Sequence, residues 1–260
     1  MTDVRRLYIL LCGYEILPKS VSVRGANPSL LMCEPVCAYL LETARGWVLF
    51  DAGIDSSRLK DPLQRERRFL SSPGAVAAPI VLPEHELLPQ LARLGVAPED
   101  VHAVILSHTH YDHTGHVKHF TRAALYMQRL EYEHAMGAHG NPAVFDDDLR
   151  LPGREWRLVD GDWELMPGVR GILTAGHMPG HQSLLVELPR GGTKLLVADA
   201  GDLRENFEQE LAPGECPDPA QGIASIRKLK ALRDATGGDL VLFHDPNDVH
   251  PRPRAPDFYE

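Results

Sequence analysis

The chain has 260 residues, enough for one large domain, and its 43% hydrophobic content is ordinary for a globular protein. Its 36 acidic residues outnumber 27 basic ones, and the resulting net charge of -9 excludes the basic field of proteins that hold nucleic acids or anionic membranes. No segment approaches the ~20 apolar residues that cross a bilayer, and the apolar run at residues 7–11 is too short for a signal-peptide core. We therefore expect a soluble cytoplasmic protein.

Short apolar runs rich in branched residues predict the strands of the protein. In chain order they are residues 8–12, 36–42, 47–50, 103–106, 124–128, 171–173, 183–188, 194–198 and 240–243. Helical patterns occupy residues 84–94, 129–136 and 220–235. The helices fall between groups of strands instead of alternating with them, which favours a sheet-on-sheet core with helices outside.

The chain shows no long linker, repeat or charge block, so we predict a single domain over residues 1–260. In the last predicted helix, the spacing of the apolar residues predicts core packing and not a ligand site. These residues are Ile223, Ile226, Leu229 and Leu232. The four cysteines match neither a disulfide framework nor a zinc–thiolate pattern, so we interpret them as reduced core thiols. They are Cys12, Cys33, Cys37 and Cys216.

The strongest chemical signal directly follows the apolar strand at residues 103–106. Within six positions, His108, His110, Asp112 and His113 offer imidazole and carboxylate groups, which are ligands of metals such as zinc. Two of them, His108 and His110, share a face in extended backbone, whereas the adjacent Asp112 and His113 join them only if the chain bends. This pattern indicates two neighbouring metals, against the alternative of a histidine-rich surface turn.

Single ligand-type residues follow three later strands. His177 and His181 lie in a glycine-containing loop between two strands, and taken alone they are as consistent with ordinary loop residues as with ligands. Asp199 follows an apolar strand and suits a bridge between two cations, or alternatively a cap for a helix at residues 204–210. His244 follows the last strand in the same way. Ligand types at four strand ends predict a metal cleft at one rim of a sheet.

These residues resemble the metallo-β-lactamase superfamily, whose signature is His-x-His-x-Asp-His followed by single His, Asp and His residues. The resemblance implies an α+β fold, a four-layer αββα sandwich with metals in the cleft between two sheets. Within the superfamily the chain looks most like the N-acyl-homoserine lactone lactonases and relatives such as pyridoxolactonase. The segments that carry this likeness are residues 39–42, 50–53, 107–113, 179–183, 204–207 and 243–245.

The resemblance implies two zinc ions and assigns a ligand set to each. His108, His110 and His181 would hold the first zinc, Asp112, His113 and His244 the second, and Asp199 would bridge them. It also implies that a hydroxide shared by the ions opens the lactone ring. Asp112 would pass a proton to the leaving alkoxide. Asp51 would orient a histidine ligand, although without the family we would interpret it as a turn residue.

One departure from the lactonase pattern concerns the substrate. Such lactonases carry a tyrosine three residues beyond the bridging aspartate, where its hydroxyl helps hold the lactone carbonyl, whereas this chain has Asp202. Asp202 would repel an anionic substrate and favour a polar or cationic one, or else face solvent. Tyr111, inside the main motif, supplies a replacement hydroxyl or packs under the loop. We treat Asp112, Tyr111 and Asp202 as the candidate catalytic residues.

The predicted function is hydrolysis of a small-molecule lactone, with N-acyl-homoserine lactones first, by a monomer or homodimer. Alternatives are hydrolysis of another lactone, ester or thioester, as in glyoxalase II relatives, and a metal-stabilised binding protein without activity. A redox di-iron centre would place a carboxylate where His110 stands, so zinc is preferred. The loop-like segments at residues 54–83 and 138–154 are the expected walls of the substrate cleft.

Overall fold

The computed structural model describes residues 2–70, 75–138 and 140–260. Its first sheet has six strands in the spatial order β1-β2-β3-β4-β5-β6. The first three strands pair antiparallel, and β4, β5 and β6 continue the sheet in parallel from β3. Their bounds are β1 Val4–Pro18, β2 Leu31–Thr43, β3 Gly46–Phe50, β4 Val101–Ile105, β5 Ala124–Gln128 and β6 Trp156–Val159.

The second sheet has five strands in the order β11-β10-β9-β8-β7. Its strands pair antiparallel except β11, which lies parallel to β10. Their bounds are β7 Trp163–Met166, β8 Val169–Leu173, β9 Gln182–Leu188, β10 Gly192–Leu196 and β11 Asp239–Val241. Both sheets are therefore mixed, because each contains antiparallel and parallel strand pairs.

The helices are mostly short. They are α1 Lys19–Ser22, α2 Ser56–Lys60, α3 Pro62–Arg65, α4 Leu87–Arg93, α5 Tyr111–Thr114, α6 Arg129–Met136, α7 Asp146–Leu149, α8 Arg204–Gln209, α9 Pro219–Thr236 and α10 Pro246–Val249. A π-helical turn at Glu66–Leu70 follows α3, and 3-10 turns lie at Pro83–His85, Pro98–Asp100, Val117–His119 and Ala198–Ala200. In the described chain no helix has the length and apolar character needed to cross a membrane.

Alternating side chains of the second sheet divide the core into layers. On β9, Leu184 and Val186 pack into the cluster formed with the first sheet, whereas Leu185 faces Ile226 and Leu229 of α9. Because successive residues of a strand point to opposite faces, β9 is covered on both sides. Leu87 and Leu91 of α4 pack against β1 of the first sheet and belong to the same cluster. The predicted four-layer αββα arrangement is confirmed.

The strand positions predicted from the sequence are confirmed, but several extents are wrong. The structure adds β6 and β7, which the sequence analysis missed. The run at residues 194–198 ends as a strand at Leu196, because Ala198 has φ 47° and begins a turn. The predicted helix at 129–136 is confirmed with its bounds.

The predicted helix at residues 84–94 is wrong in its first turn. The chain forms a 3-10 turn to His85, passes through extended Glu86, and begins α4 at Leu87. Pro89 explains the break, because proline has no N–H to donate and its ring clashes with the carbonyl four residues earlier unless it lies in the first helical turn. The carbonyl of His85 accepts instead from the Gln90 side chain at 3.1 Å.

The outer edge of β1 is covered by other segments of the chain. Leu7 and Tyr259 exchange two backbone hydrogen bonds of 2.9 Å, and the N–H of Ala255 donates to the carbonyl of Ile9 at 2.9 Å. Farther along, Tyr14 pairs with Ile80 in the same way. The ladder of the first sheet is thus continued beyond its terminal strand by the C-terminal segment and by the residues around Ile80.

Three of the four cysteines are buried, as expected of core thiols: Cys12, Cys37 and Cys216. The prediction is wrong for Cys33, which is exposed because it lies near the start of β2, where the strand extends past the covered part of the core. The single domain over 1–260 stays a prediction.

Candidate metal centre

The histidine-rich segment forms a loop followed by one helical turn. His108 lies in the loop after β4, His110 is the N-cap of α5, and Asp112 and His113 lie inside that helix. The change from extended backbone to helix supplies the bend that brings adjacent residues toward the same centre. All four side chains are buried, with exposed fractions between 0% and 7%.

The structure brings two sets of ligand-type side chains together. In each set, the offered nitrogen and oxygen atoms all lie within 4.8 Å of one another. The first set is His108, His110, His177 and Asp199, and the second is Asp112, His113 and His244. The second sheet supplies His177 from the β8–β9 loop, Asp199 from the turn after β10 and His244 after β11. The centre therefore lies between the sheets, at one rim.

Asp199 faces both sets, one carboxylate oxygen to each. Its Oδ2 lies 3.6 Å from Nε2 of His108 and 3.4 Å from Nε2 of His177. Its Oδ1 lies 3.3 Å from Nε2 of His113 and 3.4 Å from Nε2 of His244. This is the placement expected of a carboxylate shared between two ions.

These separations fit a pair of metals better than a hydrogen-bonded network. Two ligand atoms each about 2.0–2.1 Å from a tetrahedral zinc ion lie about 3.3 Å apart, which is longer than a normal charged hydrogen bond. Within the described part of the chain, Nε2 of His108 and Oδ1 of Asp199 are buried without a hydrogen-bond partner. Because orphaned buried polar atoms are costly, a cation in the first set would explain Nε2 of His108, and a cation in the second set would explain Oδ1 of Asp199.

Burial and charge set the protonation of the ligands. Burial lowers the pKa of His108 well below its usual value, and burial with neighbouring His177 lowers the pKa of His110 to about 3. Both imidazoles are therefore neutral, as metal ligation requires. Although burial opposes ionisation, His113 and His244 hold the pKa of Asp199 well below its usual range, so it is a carboxylate.

Hydrogen bonds behind the ligands fix their orientation. Nδ1 of His113 lies 2.9 Å from Oδ2 of Asp51, whose Oδ1 accepts the N–H of Ser107 at 2.7 Å. Nδ1 of His244 lies 3.0 Å from the carbonyl of Pro35. In both histidines the Nδ1 proton is held away from the centre, which leaves Nε2 facing it. The contact predicted for Asp51 is present.

The prediction that His181 is a ligand does not fit this geometry. Its Nε2 accepts the backbone N–H of Asp199 at 3.0 Å, and its Nδ1 lies 3.1 Å from the carbonyl of Thr174. Both ring nitrogens are therefore engaged, and His177 takes the expected place. The sequence held no signal that separates them, because each histidine follows a glycine in the same loop. The close approach of Gly176 to Gly222, where a Cβ would lie 2.4 Å from the backbone nitrogen, emerges only in the fold.

Glu131 on α6 is a site residue that sequence reasoning missed. Its Oε1 accepts the backbone N–H and the hydroxyl of Thr109, at 3.0 and 2.7 Å, and its Oε2 accepts the N–H of Gly180 at 3.0 Å. It is fully buried, and burial raises its pKa to about 7. One carboxyl group thus ties the histidine-rich loop to the loop of His177. A glutamate on a predicted helix gives no signal of this role.

The centre opens into a cavity of about 770 Å³. The predicted cleft walls contribute Arg68, Phe69, Ala75, Val76, Ala77 and Pro79 from one segment, and Asn141, Pro142 and Ala143 from the other. Ser71, Ser72, Pro73, Gly74 and His139 belong to the same predicted segments but lie outside the described residues. The prediction missed two further walls, at residues 15–28 and 214–217.

Tyr111 and Asp202 both line this cavity. The ring of Tyr111 stacks on Phe145 with centroids 5.0 Å apart, and its hydroxyl donates to Glu15. Asp202 is 5% exposed, so the expectation that it faces solvent is wrong. Burial and the charge of Asp199 raise the pKa of Asp202 well above its usual value. Tyr111 thus packs against Phe145 and also lines the cavity.

Comparisons with known proteins agree with this geometry. The sequence profile of the metallo-β-lactamase superfamily matches residues 32–244. An N-acyl homoserine lactonase from Bacillus thuringiensis is 34% identical over 242 residues, which cover 93% of this chain and 94% of the relative. A crystal structure of a mutant B. thuringiensis AiiA with N-decanoyl-L-homoserine at its active site superimposes with a TM-score of 0.89, at 32% identity and full coverage of both chains. An N-acyl homoserine lactone hydrolase with N-hexanoyl-L-homoserine at its catalytic metal centre matches with the same score, identity and coverage.

Proposed function

This chain belongs to the metallo-β-lactamase superfamily, and we propose that it is a lactonase that hydrolyses the ester bond of N-acyl homoserine lactones. The observation that carries the proposal is the pair of ligand sets joined by Asp199 at the floor of an open cavity. Relatives that match this chain along nearly its whole length are named for this activity. The enzyme is a metal-dependent hydrolase acting on ester bonds.

We further propose that the metals are two zinc ions. His108, His110 and His177 would hold one, Asp112, His113 and His244 the other, and Asp199 both. Imidazole nitrogen and carboxylate oxygen are zinc ligands, and no thiol of the described residues enters either set. When bound, such ions lower the pKa of water and polarise a carbonyl as Lewis acids.

Hydrolysis of a lactone joins the oxygen of water to the ring carbonyl carbon and breaks the bond from that carbon to the ring oxygen. A proton must reach the leaving oxygen, which becomes the hydroxyl of the product. Asp112 belongs to the second ligand set and also lines the cavity, so we assign it this transfer, in which it would pass on a proton taken from the water. The Tyr111 hydroxyl also lines the cavity, but it donates its one proton to Glu15, so it would contact a substrate carbonyl only after exchanging that bond.

The shape of the cavity supports a substrate with an acyl chain. Its volume of about 770 Å³ exceeds what a lactone ring alone requires. Apolar side chains line the cavity together with the metal ligands, among them Ile16, Leu17, Val21, Val76 and Met178. Burial of an acyl chain against this wall contributes roughly 0.8 kcal/mol for each methylene group.

The test is ring opening by the zinc-loaded enzyme on a panel of N-acyl homoserine lactones, other lactones, simple esters and glutathione thioesters. We expect the homoserine lactones to be the best substrates and activity to fall by at least about 1,000-fold in Asp199→Ala. The control is Asp257→Ala, which changes an exposed aspartate in the C-terminal segment. Its activity should match that of the wild type. A protein with two bound metals that prefers a thioester or opens no lactone would contradict the proposal.

A further inference from the structure

Besides the metal ligands, one carboxyl group in the cavity wall has a buried oxygen without a hydrogen-bond partner. Asp202 lines the cavity, is 95% buried, and its Oδ1 has no hydrogen-bond partner among the described residues. Removing a carboxyl oxygen from water without a donor is costly, and the cost is offset when a donor arrives. The site therefore suits a ligand that brings an N–H or O–H group.

Outside the two ligand sets and Asp199, the other buried acids of the cavity differ from Asp202 in this respect. Glu15 and Glu34 face each other across the β1–β2 ladder, an arrangement in which like charges are unfavourable. Each has its own donor, since Tyr111 donates to Glu15 and Ser22 donates to Glu34 at 2.5 Å. Burial raises the pKa of both Glu15 and Glu34, so these groups add carboxyl oxygens to the wall more than negative charge.

The basic side chains of the cavity are engaged elsewhere. Arg24 donates to the carbonyls of Gly214 and Cys216, at 3.1 and 2.6 Å. Arg68 forms two hydrogen bonds with Asp147, at 3.0 and 2.9 Å. Neither arginine donates to the open oxygen of Asp202, so the missing donor is not supplied by the cationic residues that line the same space.

We propose that Asp202 accepts a hydrogen bond from the N–H group on the ring carbon next to the lactone carbonyl, and so selects α-amido lactones. The inference rests on the proposed lactonase function. Asp202 lines the same cavity as the ligands Asp199 and His244, so we place its carboxyl group beside the reacting carbonyl. In an α-amido lactone the nitrogen is two bonds from that carbonyl carbon, about 2.5 Å away.

The proposed contact does not depend on the charge of Asp202. An ionised carboxylate accepts through both oxygens, and a protonated carboxyl group keeps an acceptor oxygen beside its O–H. A substrate without the N–H group leaves the buried oxygen unsatisfied when it displaces water from the cavity. We therefore expect the zinc-loaded enzyme to disfavour such a substrate by about 10- to 100-fold in kcat/KM.

The experiment compares N-hexanoyl homoserine lactone with its carba analogue, in which a CH2 group replaces the N–H. Kinetics are measured on the zinc-loaded wild type and on Asp202→Asn, Asp202→Ala and Glu215→Ala, with metal content determined for each. Asp202→Asn keeps an acceptor oxygen and should retain the discrimination. Asp202→Ala should slow the amide by about 10- to 100-fold while changing the carba analogue by less than about 3-fold. Glu215→Ala, an acidic control on the same cavity, should retain the discrimination.

Equal losses on both substrates in Asp202→Ala would show that Asp202 acts on the lactone carbonyl or the metals, and would overturn the inference. A wild type that opens both lactones at similar rates would overturn it as well, even if the variants lose metal, and would leave the lactonase function standing. A wild type that opens neither lactone would overturn both.

Discussion

At the scale of single residues, some metal ligands could be predicted from the sequence pattern and others could not. His108, His110, Asp112 and His113 stand out in the sequence because so many ligand-type residues directly after a buried strand are rare in an ordinary turn. The choice between His177 and His181 depends on where a short loop turns, and this is set by contacts such as that of Gly176 with Gly222. Local sequence carries no information about a contact between segments so far apart.

The different positions of these two histidines lead to a test by substitution. His177→Ala should lose one metal ion per chain, because it removes a ligand atom from the first set. His181→Ala should keep both ions in excess zinc while binding them about 10- to 100-fold more weakly, because its ring only holds the backbone of Asp199. Metal content after dialysis against graded zinc measures both effects.

His102→Ala, on an exposed histidine of β4, controls for nonspecific loss of metal. The assignment fails if His177→Ala retains two ions at zinc concentrations where His181→Ala retains one.

At the scale of elements, the ends of strands were hardest to predict where their residues line the cavity instead of packing in the core. The apolar pattern locates the centres of β1 and β2 but not their ends, because buried Glu15 and Glu34 interrupt it. β6 and β7 are short, and exposed Arg157 and Glu164 break their apolar runs. Strand extents thus escape prediction at charged positions that the final fold buries or exposes for reasons of function.

The short helix α5 depends on close packing that glycine permits. A Cβ on Gly115, directly after α5, would lie 2.2 Å from the backbone nitrogen of Asp55 and 2.7 Å from the carbonyl oxygen of Gly53. Gly115→Ala should therefore destabilise the protein by about 1–3 kcal/mol, since neither backbone atom can move aside freely. The midpoint of urea unfolding, at unchanged slope, measures the loss.

Gly137→Ala is the matched control, because the nearest atom to its added Cβ would be 3.2 Å away and its φ is −85°. We expect it to change stability by less than about 1 kcal/mol. Similar midpoints for the two variants would show that the segment around Gly53 adjusts to the extra methyl group.

At the scale of the whole molecule, the metal centre joins the two sheets. The first sheet provides His108, His110, Asp112 and His113 through the segment after β4. The second provides His177, Asp199 and His244 through three separate loops. Layering was predictable, because most of the strands have a local apolar pattern in the sequence. The relative position of the two sheet rims that supply the ligands depends on packing of the whole core. No local sequence pattern predicts that position.

Metal removal should therefore lower the thermal stability of the whole protein. Ions that bind only the folded state at 100 times their Kd stabilise it by about 2.7 kcal/mol, which corresponds to a shift of at least about 5 °C in Tm for a chain of this size. Calorimetry of the chelated and zinc-restored protein measures the shift. In Asp199→Ala the response to chelation should be much smaller, and an unchanged Tm in the wild type would argue against two tightly held ions.

The backbone bonds of the C-terminal segment along β1 have a consequence for handling the protein. Leu7 and Ile9 give their outward hydrogen-bonding groups to Tyr259 and Ala255, so a shortened chain ending before residue 255 would present a bare strand. Two such chains could then pair through their bare strands, to an extent that rises with protein concentration. A concentration-dependent increase in molecular mass after proteolytic trimming would report on this edge, even while the metal centre remains intact.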